Sequence, residues 1–432
     1  MHSQKSLKDL FYSLATKYYA DIDTPNGRIP ISIQATFYFI LTKYFKDVKI
    51  GFGAEEKDIR LSIFSIEDAR SGKGQLIKTM ELILEKLGIS FVRETKFNSA
   101  SLIGTISEHA INLNREKRKV PGDQGYVEPR IYGDLYYYDV LIFPEAKKLL
   151  VGTQDKEELL EDLQEALDSP GKIRKKMKLD VSLEYDTNAS LYCTTYYAKE
   201  ITEQLLYKGF YQRVLLIMRE LTGDETIQLR NKIIDMFKED PNLKPKFEQE
   251  LEEFVTRVKQ INNSYRVMHL TPEAIEFLHK LMDSYKTKLD EAIGDELTIL
   301  KSFSQTIIDI TVKIGTVIAL VNGKENIISN DDLTVSLKFA KSALDTIINK
   351  LVVKESTKID KNLVEPKIIN VYKDLYTTDK KVTRKILLER CMDFGMNIGN
   401  NKLQKIINRM VEQQFFKEEP GERNERFLIL NR

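Results

Sequence analysis

Between Ile59 and Tyr196, short β-rich apolar runs alternate with stretches of helical spacing. That alternation restricts this part of the chain to a mostly parallel sheet with helices on both faces. Residues Ile59 to Phe64 predict a first strand, Gln75 to Leu87 a helix closed by Gly88, and Ser90 to Glu94 a second strand. Ser99 to Asn112 has helical spacing, and the charged stretch Arg115 to Arg130, with its Pro121-Gly122, reads as a surface loop. Tyr136 to Phe143 is the most strand-like run, and Ala189 to Tyr196 supplies a further strand.

Other parts of the chain have a different character. Residues 1–48 are expected to be a helical segment broken by a Pro25-Asn26-Gly27 turn, and 49–222 the α/β core. Residues 223–355 read as helical almost throughout, with Thr271 before Pro272 as an N-cap and first-turn proline. The tail, 366–432, predicts helices at Ile368 to Leu375, Thr383 to Phe394 and Asn400 to Gln413. A hairpin follows, with Phe415 to Lys417 and Arg426 to Leu430 around Pro420-Gly421, and that order is the winged-helix arrangement.

Composition narrows the partners. With 66 Lys and Arg against 65 Asp and Glu, the 432-residue chain has no basic field, so nucleic acid must meet a local patch. Cys193 and Cys391 are the two cysteines, without zinc spacing, which fits a reducing, cytoplasmic setting and no metal held by cysteine or histidine. The apolar run Ile307 to Val321 contains Asp309 and Lys313 and is too short to span a bilayer, so no membrane is expected.

The loop after the first strand carries the chemistry. In Glu67-Asp68-Ala69-Arg70-Ser71-Gly72-Lys73-Gly74 the strand–loop–helix context suits a phosphate cradle: backbone N–H groups and the helix dipole face the anion while a lysine reaches its terminal groups. Ser71, Gly72, Lys73 and Gly74 are the candidate nucleotide contacts. A plain turn with a helix-opening lysine would carry the same residues. Tyr138 to Phe143 leads through Pro144 to Glu145, which reads as a carboxylate able to orient water, or as an ordinary Pro-Glu helix start. Thr194, at a strand end, reads as a candidate γ-phosphate sensor or an ordinary strand-end threonine, and Arg213, in Gly209-Phe210-Tyr211-Gln212-Arg213, as a group able to reach a neighbouring subunit's site or a surface arginine on a helix start.

The order of these segments resembles P-loop (AAA+/RecA-like) ATPases of the replicative-helicase type, closest to the minichromosome-maintenance-like and phage or plasmid helicase ATPases. The resemblance spans about residues 50 to 430. It implies a P-loop core with a parallel sheet, in which the strand before Glu145 lies beside the phosphate-loop strand, then a helical lid and a C-terminal winged helix. It further implies ATP as ligand, Lys313 of the lid as a nucleotide-sensing cation, and assembly into a homo-oligomer or ring that acts on DNA in replication. Gly74 and Pro144 stand where Mg2+ ligands belong, so a catalytically degenerate DNA-binding replication factor is the alternative, as is a winged-helix transcription regulator.

Two segments are candidates for DNA. The tail, residues 366–432, carries 14 Lys and Arg against 9 Asp and Glu. Within it Asn401, Lys402, Lys405 and Arg409 lie on the candidate recognition helix and Arg423 at the wing tip, side chains suited to base edges and phosphates. The run Gly171 to Lys178 includes Lys172, Arg174, Lys175 and Lys176, and is expected to form a channel-facing hairpin that holds single strands through phosphate. Winged helices also bind proteins, and basic runs also serve as solvated faces.

Overall fold

The computed structural model describes residues 5–17, 29–68, 71–94, 97–117, 128–146, 155–168, 171–176, 182–196, 210–235, 237–238, 240–291, 295–358, 368–369, 371–373, 375–376, 382–393, 400–412, 415–420 and 426–430. The chain divides into two units, Met1–Lys350 and Leu351–Arg432.

In the first unit five strands form an all-parallel sheet: β1 (Ile63–Glu67), β2 (Phe91–Arg93), β3 (Val140–Phe143), β4 (Ser190–Thr195) and β5 (Leu215–Arg219). Their spatial order is β5-β1-β4-β3-β2. Every residue of β1, β3 and β4 is buried, which explains their unbroken apolar character, since a covered parallel strand has no solvent face. The strand leading to Glu145 is therefore not beside the phosphate-loop strand as the resemblance implied: β4 lies between β1 and β3.

This order has a geometric consequence. The chain leaves β1 for the far edge at β2, whereas it leaves β4 in the other direction, past β1, to β5. The strands that follow β1 and β4 in the chain therefore lie on opposite sides of that pair. A crevice then opens between the carboxyl ends of β1 and β4, where ligands of doubly wound sheets sit.

Several boundaries differ from the sequence reading, each for a tertiary reason. The first strand starts at Ile63 rather than Ile59, because the lead-in is pinned by Arg60. Its guanidinium donates to the carbonyls of Ala166, Thr187, Ala189 and Asp168, and pairs with Asp58 at 3.4 Å. Tyr136 to Tyr138 stay outside β3, since Asp134–Tyr137 forms one helical turn first. The helix expected over Ser99 to Asn112 is split into Ser99–Leu102, the strand Gly104–Ile106 and Glu108–Lys117. The strand pairs with Arg130–Tyr132, and Ile103 O accepts from the Tyr185 hydroxyl at 2.7 Å.

A second sheet escaped the sequence reading altogether. Val48–Phe52 pairs in parallel with Arg266–Leu270, which pairs with Ile327–Ile328, and Glu55–Asp58 closes the other edge. The 223–355 region is thus helical with two strands inserted. Its long helix Asp295–Val321 contains a stretch, Phe303–Val321, apolar and long enough to cross a membrane, contrary to the length expected. That stretch is 67% buried inside the fold, where Ile307, Ile314 and Val317 are core residues.

The N-terminal region forms the helices Leu7–Lys17 and Ile31–Tyr44, the second lacking the amphipathic character that its sequence suggested; the Pro25-Asn26-Gly27 turn lies outside the described residues. Ile31–Tyr44 is buried nearly all round, as a helix apolar on every side must be. Phe11 and Phe37 pack with Phe254 of the helix Leu243–Gln260. On the same buried helix Lys43 donates to Asn188 O, and burial lowers its pKa to about 7, against the pull of Asp139.

The second unit contains helical residues at 368–369, 371–373 and 375–376, the helices Arg384–Asp393 and Asn400–Glu412, and the antiparallel pair Phe416–Pro420 and Arg426–Leu430. Val371, Tyr372, Leu387, Leu403, Ile407 and Phe416 belong to one buried core. Thr383 bridges to Phe427, adding a short third element to the hairpin.

Two predictions follow from the buried cations. Arg60→Met removes the donors from the buried carbonyls of Ala166, Thr187 and Ala189, and is expected to cost about 3–5 kcal/mol in urea unfolding, with Arg60→Lys recovering less than half. Lys43 has a folded pKa below its unfolded value, so the unfolded chain binds more protons between about pH 7 and 10. Its contribution makes stability rise with pH across that window. Lys43→Met should flatten this rise, measured as unfolding free energy at pH 7 and 9.

Candidate functional site

The crevice at the carboxyl ends of β1 and β4 gathers six of the eight residues that the sequence singled out for nucleotide: Ser71, Gly72, Lys73, Gly74, Glu145 and Thr194. Helix Lys73–Leu87 starts there, and its N-cap, Gly72, has φ 89°, a left-handed conformation that strains any residue with a β-carbon. Gly72 O accepts from Gln75 N at 2.9 Å and Leu76 N at 3.1 Å, and the N–H groups of Lys73 and Gly74 open the helix ahead of that first turn. Lys73 Nζ donates to Glu67 O, the last residue of β1, and to Thr195 O, the last of β4, both at 3.2 Å. The ammonium therefore spans the opening between the two strands.

The electrostatics around Lys73 are mixed. Burial lowers its pKa below the usual lysine value, while Glu67, Glu145 and Asp68 pull it back up. Glu145 is exposed on the turn after β3, within electrostatic reach of this ammonium. Glu67 is 3% exposed; its carboxylate accepts from Ser65 Oγ at 2.6 Å and lies 4.0 Å from Arg219 of β5. Arg219 went unnoticed in the sequence, because only the sheet order shows that the end of β5 adjoins the end of β1. Asp68 accepts from Leu221 N at 2.7 Å and ties the loop to the segment after β5.

Ser71 is the unusual member. Its side chain is fully buried, and its hydroxyl has no hydrogen-bond partner among the described residues. A buried unpaired hydroxyl is costly, and natural proteins tolerate one chiefly where a ligand or function supplies the partner. Ser71, Gly72 and Lys73 thus fit an anion at the helix start. Magnesium fits less well: a β-carbon at Gly74 would meet nothing within 4 Å, and neither Gly74 nor Pro144 brings a side-chain oxygen. Asp139 cannot substitute, since it sits at the amino end of β3, bonded to Lys46 at 3.0 Å and Ser90 at 2.9 Å. Among the described residues no group of His, Cys, Asp or Glu gathers into a metal site.

Thr194 reaches the crevice on β4, but its hydroxyl donates to Pro144 O at 3.0 Å, and its carbonyl accepts from Ala146 N at 2.9 Å. It locks the Pro144–Ala146 turn in place, and with it Glu145. Cys193, one position earlier, is buried, and burial pushes its thiol pKa up, which disfavours the thiolate.

Arg213 and Lys313 do not join this group. They line a separate cleft of about 390 Å³ with Asp58, Asp168 and Asp309, at the amino ends of β1 and β5, opposite Lys73. Arg213 grips Asp168 in a two-point pair at 2.6 and 3.2 Å, and Lys313 pairs with Asp309 at 2.8 Å one helical turn away.

The basic run forms a β-hairpin, Gly171–Lys176 with Ser182–Thr187. Lys172 and Arg174 are exposed, opposite Asp186 and Glu184, and Arg174 bonds Glu184 at 3.1 Å. Lys175 points the other way, to Asp162 at 2.7 Å and Ser99 at 2.9 Å. Lys176 is the last residue of its strand. In the second unit Asn401 and Lys402 lie in the first turn of Asn400–Glu412, Lys405 is exposed and Arg409 half-buried. Asn408 accepts from Arg384 at 2.7 Å, and Arg423 lies outside the described residues.

No family model matches the chain, and no curated protein matches it.

The partly exposed Arg213–Asp168 pair should matter little for folding. Arg213→Ala is expected to change unfolding free energy by no more than about 1 kcal/mol, so a large loss of function in that variant would mark a role at a ligand.

Proposed function

We propose that this chain is a P-loop nucleotide-binding protein of the replicative-helicase type, which holds ATP at the carboxyl ends of β1 and β4 and acts on DNA as an oligomer. The observation that carries this reading is the crevice itself. A left-handed glycine, a buried unpaired serine hydroxyl and a lysine bridging two strand ends meet at the N-terminus of a 15-residue helix, where the strand order reverses. In this reading Ser71 and the first-turn N–H groups bind phosphate oxygens, Lys73 neutralises their charge, and Glu145 orients water. Lys73 exchanges its two carbonyl partners for phosphate, which restores a full charge partner to a half-buried ammonium.

The cleft at the other end of the sheet supports assembly. Arg213 and Lys313 cannot reach Lys73 of their own subunit from there, so any role at a nucleotide is a role at a neighbour's. DNA contact is assigned to the second unit, read as a winged helix with Asn400–Glu412 as its recognition helix, and to the β-hairpin over Gly171–Lys176. Gly74 and Pro144 favour a second form of the same reading, in which the chain binds ATP and DNA but turns over slowly or not at all.

Nucleotide binding and phosphate release, each measured with and without single-stranded DNA, test this. Wild type should bind ATP, and Lys73→Ala should weaken that binding at least about tenfold, the loss of one charge-assisted contact set. DNA-stimulated phosphate release that Lys73→Ala abolishes selects the motor form. ATP binding without release selects the non-hydrolysing one. Equal ATP affinity in wild type and Lys73→Ala would sink both.

A further inference from the structure

Beside the phosphate loop lies a groove of about 790 Å³, bounded by Asp68, Leu221, Leu229, Arg230, Ile233 and Ile234. We infer that it receives the base and sugar of the nucleotide whose phosphates sit at Lys73. This rests on the phosphate-loop reading and adds to it the part of the ligand that the loop does not touch.

The groove is built, not incidental. Helix Gly223–Asp235 begins directly after β5 with a reciprocal cap: Glu225 N donates to Thr222 Oγ1 at 3.2 Å, and Thr222 N to the Glu225 carboxylate at 2.8 Å. Asp68 clamps Leu221 N at 2.7 Å, so the helix entrance and the phosphate loop share one hydrogen-bonded wall. Ser71 N in turn donates to Asp68 O at 3.3 Å. A ligand at the helix start of Lys73–Leu87 is therefore continuous with the groove through a single carboxylate residue.

The lining matches a nucleoside. Leu221 packs on the buried Leu229, which gives an apolar floor. Ile233 and Ile234 are 42% and 62% exposed on the rim, without the cover that such side chains normally have. Pockets of this size, mostly apolar with a few fixed polar groups, are the usual form of small-molecule sites. A flat base laid over Leu229 and Ile233 would cover that surface, and the planar Arg230 guanidinium at the margin suits stacking on an aromatic ring. Asp68 keeps lone pairs for a sugar hydroxyl or an exocyclic amine after accepting from Leu221 N.

Calorimetry of the full chain with ATP and with inorganic tripolyphosphate tests this, using wild type, Ile233→Glu, Ile233→Ala and Lys73→Ala. Ile233 is on the rim, so these variants should fold, and circular dichroism checks it. Wild type should prefer ATP over tripolyphosphate by roughly tenfold or more, the range open to an apolar pocket. Ile233→Glu should erase that preference and leave tripolyphosphate affinity unchanged, with Ile233→Ala between. Lys73→Ala should weaken both ligands. If wild type binds ATP no tighter than tripolyphosphate, or if Ile233→Glu leaves ATP affinity intact while Lys73→Ala lowers it, the groove inference fails and the phosphate reading stands. If Ile233→Glu alters self-association instead, the groove is a subunit contact and the inference also fails. Failure of wild type to bind either ligand overturns both readings.

Discussion

The arrangement of the first unit depends on one guanidinium. Arg60 is buried at the amino end of the parallel sheet, and its donors meet the carbonyl groups of Ala166, Asp168, Thr187 and Ala189. Those carbonyls belong to the end of one helix, the return strand of the hairpin and the entry to β4. Arginine presents its donors in a rigid planar fork, so it sets relative positions and not only contact. By holding the entry to β4 against the lead-in of β1, Arg60 sets the register in which Tyr192 lies opposite Ile63 and Thr195 opposite Ile66. The close approach shows at Gly171, where a β-carbon would come within 2.4 Å of Ala166 O and 2.9 Å of the Arg60 guanidinium.

The two ends of the sheet solve the same problem differently. At the amino end, carbonyls are matched by fixed side-chain donors: the Arg60 guanidinium for one group and Lys43 for Asn188. At the carboxyl end the matching is provisional. Lys73 bonds two strand-end carbonyls that each retain acceptor capacity, while the Ser71 hydroxyl has no partner among the described residues. Rigid support at one end and incomplete satisfaction at the other is the pattern of a preorganised site, because the donors are held in place before any ligand arrives.

How much of this was legible in the sequence follows from the range of the interactions. The β/α alternation, the helix after Gly72, and the burial of β3 and β4 could be read from local period and composition, because those features are decided by burial within one element. The positions of Lys73 at a helix start after β1 and of Glu145 just beyond β3 were legible for the same reason. What was missed is non-local. Val48–Phe52 gains its strand character from Arg266–Leu270, more than two hundred positions away, and no local pattern marks that partner. Ser99 to Asn112 has helical spacing, yet pairing with Arg130–Tyr132 overrides it. Arg219 and the groove on Gly223–Asp235 needed the sheet order, and the separation of Arg213 and Lys313 from Lys73 needed to be seen at the opposite strand ends.

The hairpin shows why a run of charge cannot be read as a field. Along Gly171–Lys176 the side chains alternate between faces, so its four basic residues do not form one surface. Lys175 turns inward and is neutralised by Asp162, while Arg174 is opposed by Glu184 and Lys172 stands across from Asp186. The stem is close to balanced on both faces. Phosphate binding along it would have to displace carboxylates already in place, which lowers the net gain from each contact. In the second unit Lys405 is exposed on a helix whose opposite face, with Leu403, Ile407 and Met410, is buried in the core. There a cation is presented by a rigid amphipathic helix whose own sequence holds no carboxylate before Glu412. The stronger electrostatic footing for an anionic partner is therefore on that helix, although the sequence places the denser basic run on the hairpin.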